Sequence, residues 1–295
     1  MAVLPRHTDR FEAYVAPARA RPALWRLLAG IIFAALAWLG AVAALVPLAT
    51  RLPADPGRAI LLAYLLSFAA LALGIAAAAR LLQRRPPATL LGPGGFRLRH
   101  FALGVAAIAL LSVLSLPALA WLAAPVRRMP LATWAAWLPL VLPALLLQTA
   151  AEEIAFRGYL MQSLAARFRS RLAWLLLPAA LFGALHWDPA EFGANAWLVV
   201  LSTAVVGLIL ADVTVRTGNL SAAIGLHFAN NVSSLLFVSL PSPLGAFTLW
   251  TISVDPADAA AVRPLLLADF AVMLAAWAAW RALGARLHSR GRGSI

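Results

Sequence analysis

Eight apolar runs dictate most of what this chain can fold into. They fall at 24–49, 59–81, 101–124, 131–153, 172–187, 196–214, 220–240 and 264–281, separated by short arginine-bearing segments. A helix needs about 20 apolar residues to cross the hydrocarbon layer of a bilayer. By that measure 172–187 and 196–214 are the short members of the set. With 63% hydrophobic and 12% charged residues, the chain carries more apolar surface than a soluble core of 295 residues can hide. The expected fold is therefore all-α, a multi-pass transmembrane helical bundle of about eight helices. Pro47, Pro117, Pro139 and Pro143 lie inside the runs. Membrane helices tolerate such prolines as kinks.

Every one of the 24 basic residues is Arg, and the formal net charge is +13. A strongly basic chain raises the question of nucleic acid. Here the arginines flank apolar runs and form no stripe on a soluble domain, so lipid is the expected partner and nucleic acid is not. With the N-terminus in the cytoplasm, the outer loops carry Arg51, Arg58, Arg127, Arg128 and Arg263, and the other 19 of the 24 fall inside. The positive-inside rule then puts both termini in the cytoplasm. Residues 1–22 are polar and basic and read as a cytoplasmic arm, not as a signal peptide. The clearest linker is 83–100, with Arg84-Arg85-Pro86-Pro87 and Gly92-Pro93-Gly94-Gly95. The absence of Cys removes disulfides, thiolate metal sites and a cysteine nucleophile. The Arg- and Ala-rich, Lys-free composition points to a high-GC bacterium, hence to a bacterial inner membrane.

Ionisable groups inside apolar runs cost about 2.5–3.5 kcal/mol each on insertion scales and are functional candidates by default. Three clusters qualify. In Glu152-Glu153-Ile154-Ala155-Phe156-Arg157, Glu153 and Arg157 are four apart and share a helix face, while Glu152 points about 100° away. One carboxylate can be held while the other stays available, which suits acid–base work. The bland alternative is a helix end meeting water. His186 closes Phe182-Gly183-Ala184-Leu185-His186, and its bland reading is an imidazole at headgroup level. His227 and Asn231 in His227-Phe228-Ala229-Asn230-Asn231 stack at i,i+4. They could ligate a metal, donate to a developing oxyanion, or simply bond across helices. Asn231-Val232-Ser233 also fits a glycosylation acceptor, discounted because it lies in a membrane run.

Depth ties the clusters together. Glu152 is 15 residues from Arg167, His186 is 15 from Arg171, and His227 is 11 from Arg216. At about 1.5 Å per residue these are roughly 22, 22 and 16 Å from the cytoplasmic boundary. All three can meet near mid-membrane, provided that the helix bearing Glu152 continues past Glu153 and embeds Leu160, Met161 and Leu164. Asp269 stands mid-way along the last run without an evident partner, Asp212 and Arg216 look structural, Asp188 and Glu191 fall in an outer turn, and Trp187, Trp197 and Trp250 fit interfacial anchoring.

The order Glu-Glu-x-x-x-Arg, Phe-x-x-x-His, His-x-x-x-Asn resembles the CAAX protease and bacteriocin-processing family, the type II CAAX prenyl endopeptidase group of intramembrane proteases. Arg216-Thr217-Gly218-Asn219-Leu220 looks like the family's approach to its third motif. The resemblance covers about 131–240. It divides the chain into an arm at 1–23, N-terminal membrane helices at 24–130, a protease core at 131–240, and a last membrane helix with a basic tail at 241–295. It implies an endopeptidase acting on membrane-associated peptides or lipidated proteins, with the active site inside the bundle. Glu152 would activate water with help from His186, His227 and Asn231 would stabilise the oxyanion, and Glu153 and Arg157 would support the site. The metalloprotease route, with Zn2+ held by Glu152, His186 and His227, stays open beside a metal-free one. The alternative class is a transporter or a binding or immunity factor on the same bundle. A transporter would show paired broken repeats, and the sequence shows none.

Overall fold

The computed structural model describes residues 9–52, 55–255 and 258–290. Six helices among them are long and apolar enough to cross a membrane: Leu24–Ala49, Pro56–Leu81, Leu98–Trp121, Leu131–Arg167, Pro189–Thr217 and Ala259–Ala282. The protein is an integral membrane α-helical bundle. Six such spans stand where eight were expected, and the other two runs form shorter helices. Leu172–Ala184 is one of them. The other, Ser221–Val232, is buried at every position from Ser221 to His227. Protein on all sides, chiefly the 98–123 and 131–153 helices, relieves it of the length that lipid exposure demands. The 196–214 run is longer than it reads, because Asp188 caps a short turn at Pro189–Phe192 that leads into it.

The condition on the Glu152 helix is met. The chain stays helical from Leu131 to Arg167, and Leu160, Met161 and Leu164 are buried. It does so through a wider turn: Ile154–Met161 is π-helical, starting directly after Glu153. π segments inside α-helices recur at functional sites. Two more follow, at Leu172–Leu176 and Ser233–Phe237. The prolines of the first half of this helix, Pro139 and Pro143, do not end it.

Part of the 83–100 linker packs into the protein. Gln83, Arg85 and Leu90 are buried, and a 3₁₀ turn at Pro87–Leu90 lies against the π segment. Gly92 has φ +99°, and a Cβ there would stand 2.5 Å from the Gly218 carbonyl oxygen, so only glycine fits this approach. The arm also packs. Helix Asp9–Arg19 buries Phe11, Tyr14, Val15 and Ala18, one stripe at helical spacing, against the end of the 131–167 helix and the 196–217 helix. At the opposite end of the bundle, two-residue strands at Val126–Arg127, Trp250–Thr251 and Val238–Ser239 form a small sheet in that order.

Candidate active site

The site is built where the π segment begins. Glu153 is fully buried, and its Oε1 accepts from Arg157 Nη1 at 2.8 Å and from His227 Nδ1 at 2.9 Å. Arg157 is 2% exposed and spends a second donor, Nη2, on the Gly207 carbonyl at 3.1 Å. A buried charge needs a counter-charge and hydrogen bonds together. Arg157 has both, one from its own helix and one from the 196–217 helix.

His227 is thereby fixed between two carboxylates. With Nδ1 donating to Glu153, Nε2 faces Glu152, whose Oε2 is 3.6 Å away. That oxygen is buried and has no hydrogen-bond partner among the described residues, and the same holds for Oε2 of Glu153. Buried polar atoms are almost always bonded, so an orphaned carboxylate oxygen beside an imidazole marks a place for chemistry.

Phe182 is the hub of the remaining contacts. The Arg157 guanidinium lies 4.6 Å over its ring, Phe156 packs edge-on at 5.1 Å, the His227 ring stands edge-on at 5.9 Å, and the His186 ring is 5.0 Å away. Its neighbour Gly183 lets the 172–184 helix approach closely, since a Cβ there would meet the Val200 carbonyl oxygen at 2.4 Å. His186 Nδ1 bonds to the Phe182 carbonyl at 2.8 Å. Among the described contacts no hydrogen bond joins His186 to either glutamate. His186 and His227 thus share Phe182 as a common wall, with His186 on the exposed side.

Asn231 stands one turn beyond His227, and its Nδ2 donates to Gln148 Oε1 at 2.9 Å. Gln148 is buried one turn before Glu152. Sequence reasoning passed over it, although an amide four residues before a membrane glutamate shares its face. Phe182, Gly207 and Gln148 are thus site residues outside the predicted set. The structure brings Glu152, Glu153, Arg157, His227 and Asn231 together and places His186 next to them across Phe182. Elsewhere, Asp212 accepts from Arg216 at 2.8 Å and Trp277 at 3.0 Å as helix-packing glue. Asp269 is exposed on the 259–290 helix.

Comparison with known proteins bears on the same residues. Residues 132–233 match the family model described as type II CAAX prenyl endopeptidase Rce1-like. This segment, about a third of the chain, is similar to the Rce1-like family. It begins at the first turn of the Glu152 helix and ends two residues past Asn231, so it spans all three motifs. The uncharacterized protein YyaK of Bacillus subtilis (strain 168) is 31% identical over 93 residues, which is 32% of this chain and 31% of that protein. The chain therefore matches about a third of the length of this curated relative. No solved structure matches the chain.

Among the described residues no three His, Asp or Glu side chains are grouped to hold an ion. Glu153 occupies Nδ1 of His227, and His186 is bonded to its own helix. Glu152, His186 and His227 do not form a three-ligand centre in this arrangement.

Proposed function

We propose that the protein is an intramembrane endopeptidase of the CAAX type, cleaving membrane-associated or lipidated protein substrates from the cytoplasmic side of a bacterial inner membrane. The observation that carries this reading is His227 clasped between Glu153 and Glu152, one carboxylate anchored by Arg157 and the other left with a buried, unpartnered oxygen.

Glu152 takes a proton from water as its oxygen attacks the scissile carbonyl carbon. The carbonyl π electrons move onto oxygen, and the oxyanion is met by the Asn231 amide, which Gln148 orients, and by His227 acting as an imidazolium, with Nδ1–H on Glu153 and Nε2–H on the oxyanion. Glu152 then delivers its proton to the departing nitrogen as the C–N bond breaks, leaving a carboxylic acid and an amine. Glu153 holds the imidazole in one orientation, as a carboxylate does in hydrolytic triads. His186, across Phe182, stands at the exposed side where substrate would enter. Water would have to reach such a site through a cavity open to one face of the membrane, and the arginine distribution supports the cytoplasmic face.

The test is cleavage of a prenylated CAAX peptide and of a pool of membrane peptides by detergent-purified protein, beside Glu152→Ala, with metal content measured on the same sample. The reading expects cleavage that disappears in the variant. Stoichiometric zinc would assign the metal route to the same reaction. Intact protein that cleaves nothing in either set would turn the assignment towards a binding or immunity factor.

A further inference from the structure

We propose that Tyr14 and Arg85, from the arm and the 83–97 loop, are positioning residues that hold the π segment of the active-site helix in register. The proposal rests on the protease reading for its kinetic test and on geometry alone for its structural one.

The π segment creates the need. A π turn holds an extra residue relative to an α turn, so converting Ile154–Met161 to α-helix would rotate every later side chain by about 100° relative to Glu152 and Glu153. Arg157, which anchors Glu153, lies inside the segment. Its register decides whether Arg157 also meets its partners on other elements, the Gly207 carbonyl through Nη2 and Tyr14 through its own carbonyl.

Two side chains from outside the Rce1-like segment take carbonyls of this segment. Tyr14 is fully buried, and its Oη lies 3.1 Å from the Arg157 carbonyl oxygen and 3.2 Å from that of Leu90, so one hydroxyl hydrogen is shared between helix and loop. Burial raises the pKa of this phenol above its ordinary value, and it stays a donor. Arg85 is also buried and reaches the Gly158 carbonyl at 3.5 Å. Its other partners are all neutral: Gln83 Oε1 at 2.7 Å, Thr89 Oγ1 at 3.4 Å and Gln162 Oε1. Gln83 and Gln162 are held in turn by Ser163 at 2.9 Å and the Thr89 carbonyl at 3.0 Å.

A buried guanidinium without a carboxylate is expensive. Among the described residues no carboxylate pairs with Arg85, and burial pushes its pKa down to about 10, still cationic at neutral pH. A neutral residue would fill the space at lower cost if packing were the sole requirement. What Arg85 adds is a planar fork that bonds the loop, Gln162 and the Gly158 carbonyl at once. The backbone is shaped for it: a Cβ on Gly158 would stand 3.0 Å from the Leu90 carbonyl oxygen, and one on Gly92 would stand 2.9 Å from the Tyr14 ring. Contacts then run without a break from Tyr14 through the Arg157 backbone and side chain to Glu153, His227 and Glu152.

The experiment compares Tyr14→Phe and Arg85→Lys with wild type by steady-state cleavage and by hydrogen exchange of the 154–161 amides. Tyr14→Phe keeps the ring and deletes the donor; Arg85→Lys keeps the charge and deletes the fork. Each should lower kcat about tenfold, the worth of one buried hydrogen bond, with KM within about twofold of wild type, and should speed exchange at 154–161. Glu12→Gln, which breaks the exposed Glu12–Arg19 pair of the same arm, should change neither. Wild-type kcat with wild-type exchange in either variant overturns the proposal, as does a fall in kcat matched by Glu12→Gln. If one variant does not fold, the other reads the same result. Exchange needs no substrate, so a protein that cleaves nothing would defeat the protease reading and leave the positioning claim open to measurement.

Discussion

Replacing Glu153 by Gln keeps the shape of the side chain and removes one charge. In the structure that charge serves two donors on a single oxygen, Arg157 at 2.8 Å and His227 at 2.9 Å, with Glu153 fully buried and Arg157 2% exposed. Solvent cannot screen what remains. Arg157 would keep the Gly207 carbonyl and the Phe182 ring but lose its counter-charge. Breaking a buried pair from one side costs about 3–5 kcal/mol. At about 2–4 °C per kcal/mol for a chain of this size class, Tm should fall by roughly 6–20 °C. Activity should fall further than stability explains. The imidazole loses its orienting carboxylate, and the rate should drop by about 10²–10⁴-fold among molecules that remain folded. The double variant Glu153→Leu with Arg157→Leu separates the two effects. It removes both charges, so most of the lost stability should return while cleavage stays absent. Tryptophan-fluorescence melting in detergent, with cleavage measured on the same samples, reads both quantities. A Gln variant with wild-type Tm and wild-type rate would refute the reasoning. A double variant less stable than Glu153→Gln would refute the energetic half of it.

Other substitutions address separate parts of the account. Gln148→Leu removes the acceptor that orients Asn231 and should lower kcat about tenfold at nearly constant KM, measured by steady-state cleavage. Gly183→Ala places a methyl group 2.4 Å from the Val200 carbonyl oxygen and 2.8 Å from the Ala204 Cβ. It should part the two helices, cost about 1–3 kcal/mol in thermal melting, and reduce cleavage by shifting Phe182. Asp212→Asn disturbs a partly exposed pair remote from the motifs, so it should cost about 1 kcal/mol or less and leave the cleavage rate unchanged.

The parts of the fold that could be read from the sequence are those that lipid dictates. Apolar runs gave the long helices, because nothing else can cross hydrocarbon. Reading depth from the arginine boundaries correctly required the Glu152 helix to run on past Glu153. Counting by length failed at Ser221–Val232, because a helix wrapped in protein needs no membrane-spanning length. Placing Glu153 opposite Arg157 needed only i,i+4 spacing, yet the spacing arises inside a π turn that leaves no trace in hydrophobic periodicity. The arm was read as cytoplasmic from its charges, and its packing stripe of Phe11, Tyr14, Val15 and Ala18 was passed over. Arg85 sat in what composition marks as a linker, and its burial depends on neighbours more than 70 residues away. The clasp of His227 between two adjacent glutamates was not legible at all. Spacing brings His227 to the right depth, but the rotation of its helix is set by packing against the 98–123 and 131–153 helices.

The central claim is that Glu152 is the base of a hydrolytic site, and its most direct test is the Glu152→Gln variant assayed against wild type in reconstituted vesicles containing the prenylated peptide and the membrane-peptide pool. The account predicts that wild type cleaves and that the folded variant, which keeps the size and hydrogen-bonding shape of the side chain, has lost cleavage to background. Cleavage by the variant at the wild-type rate would contradict it.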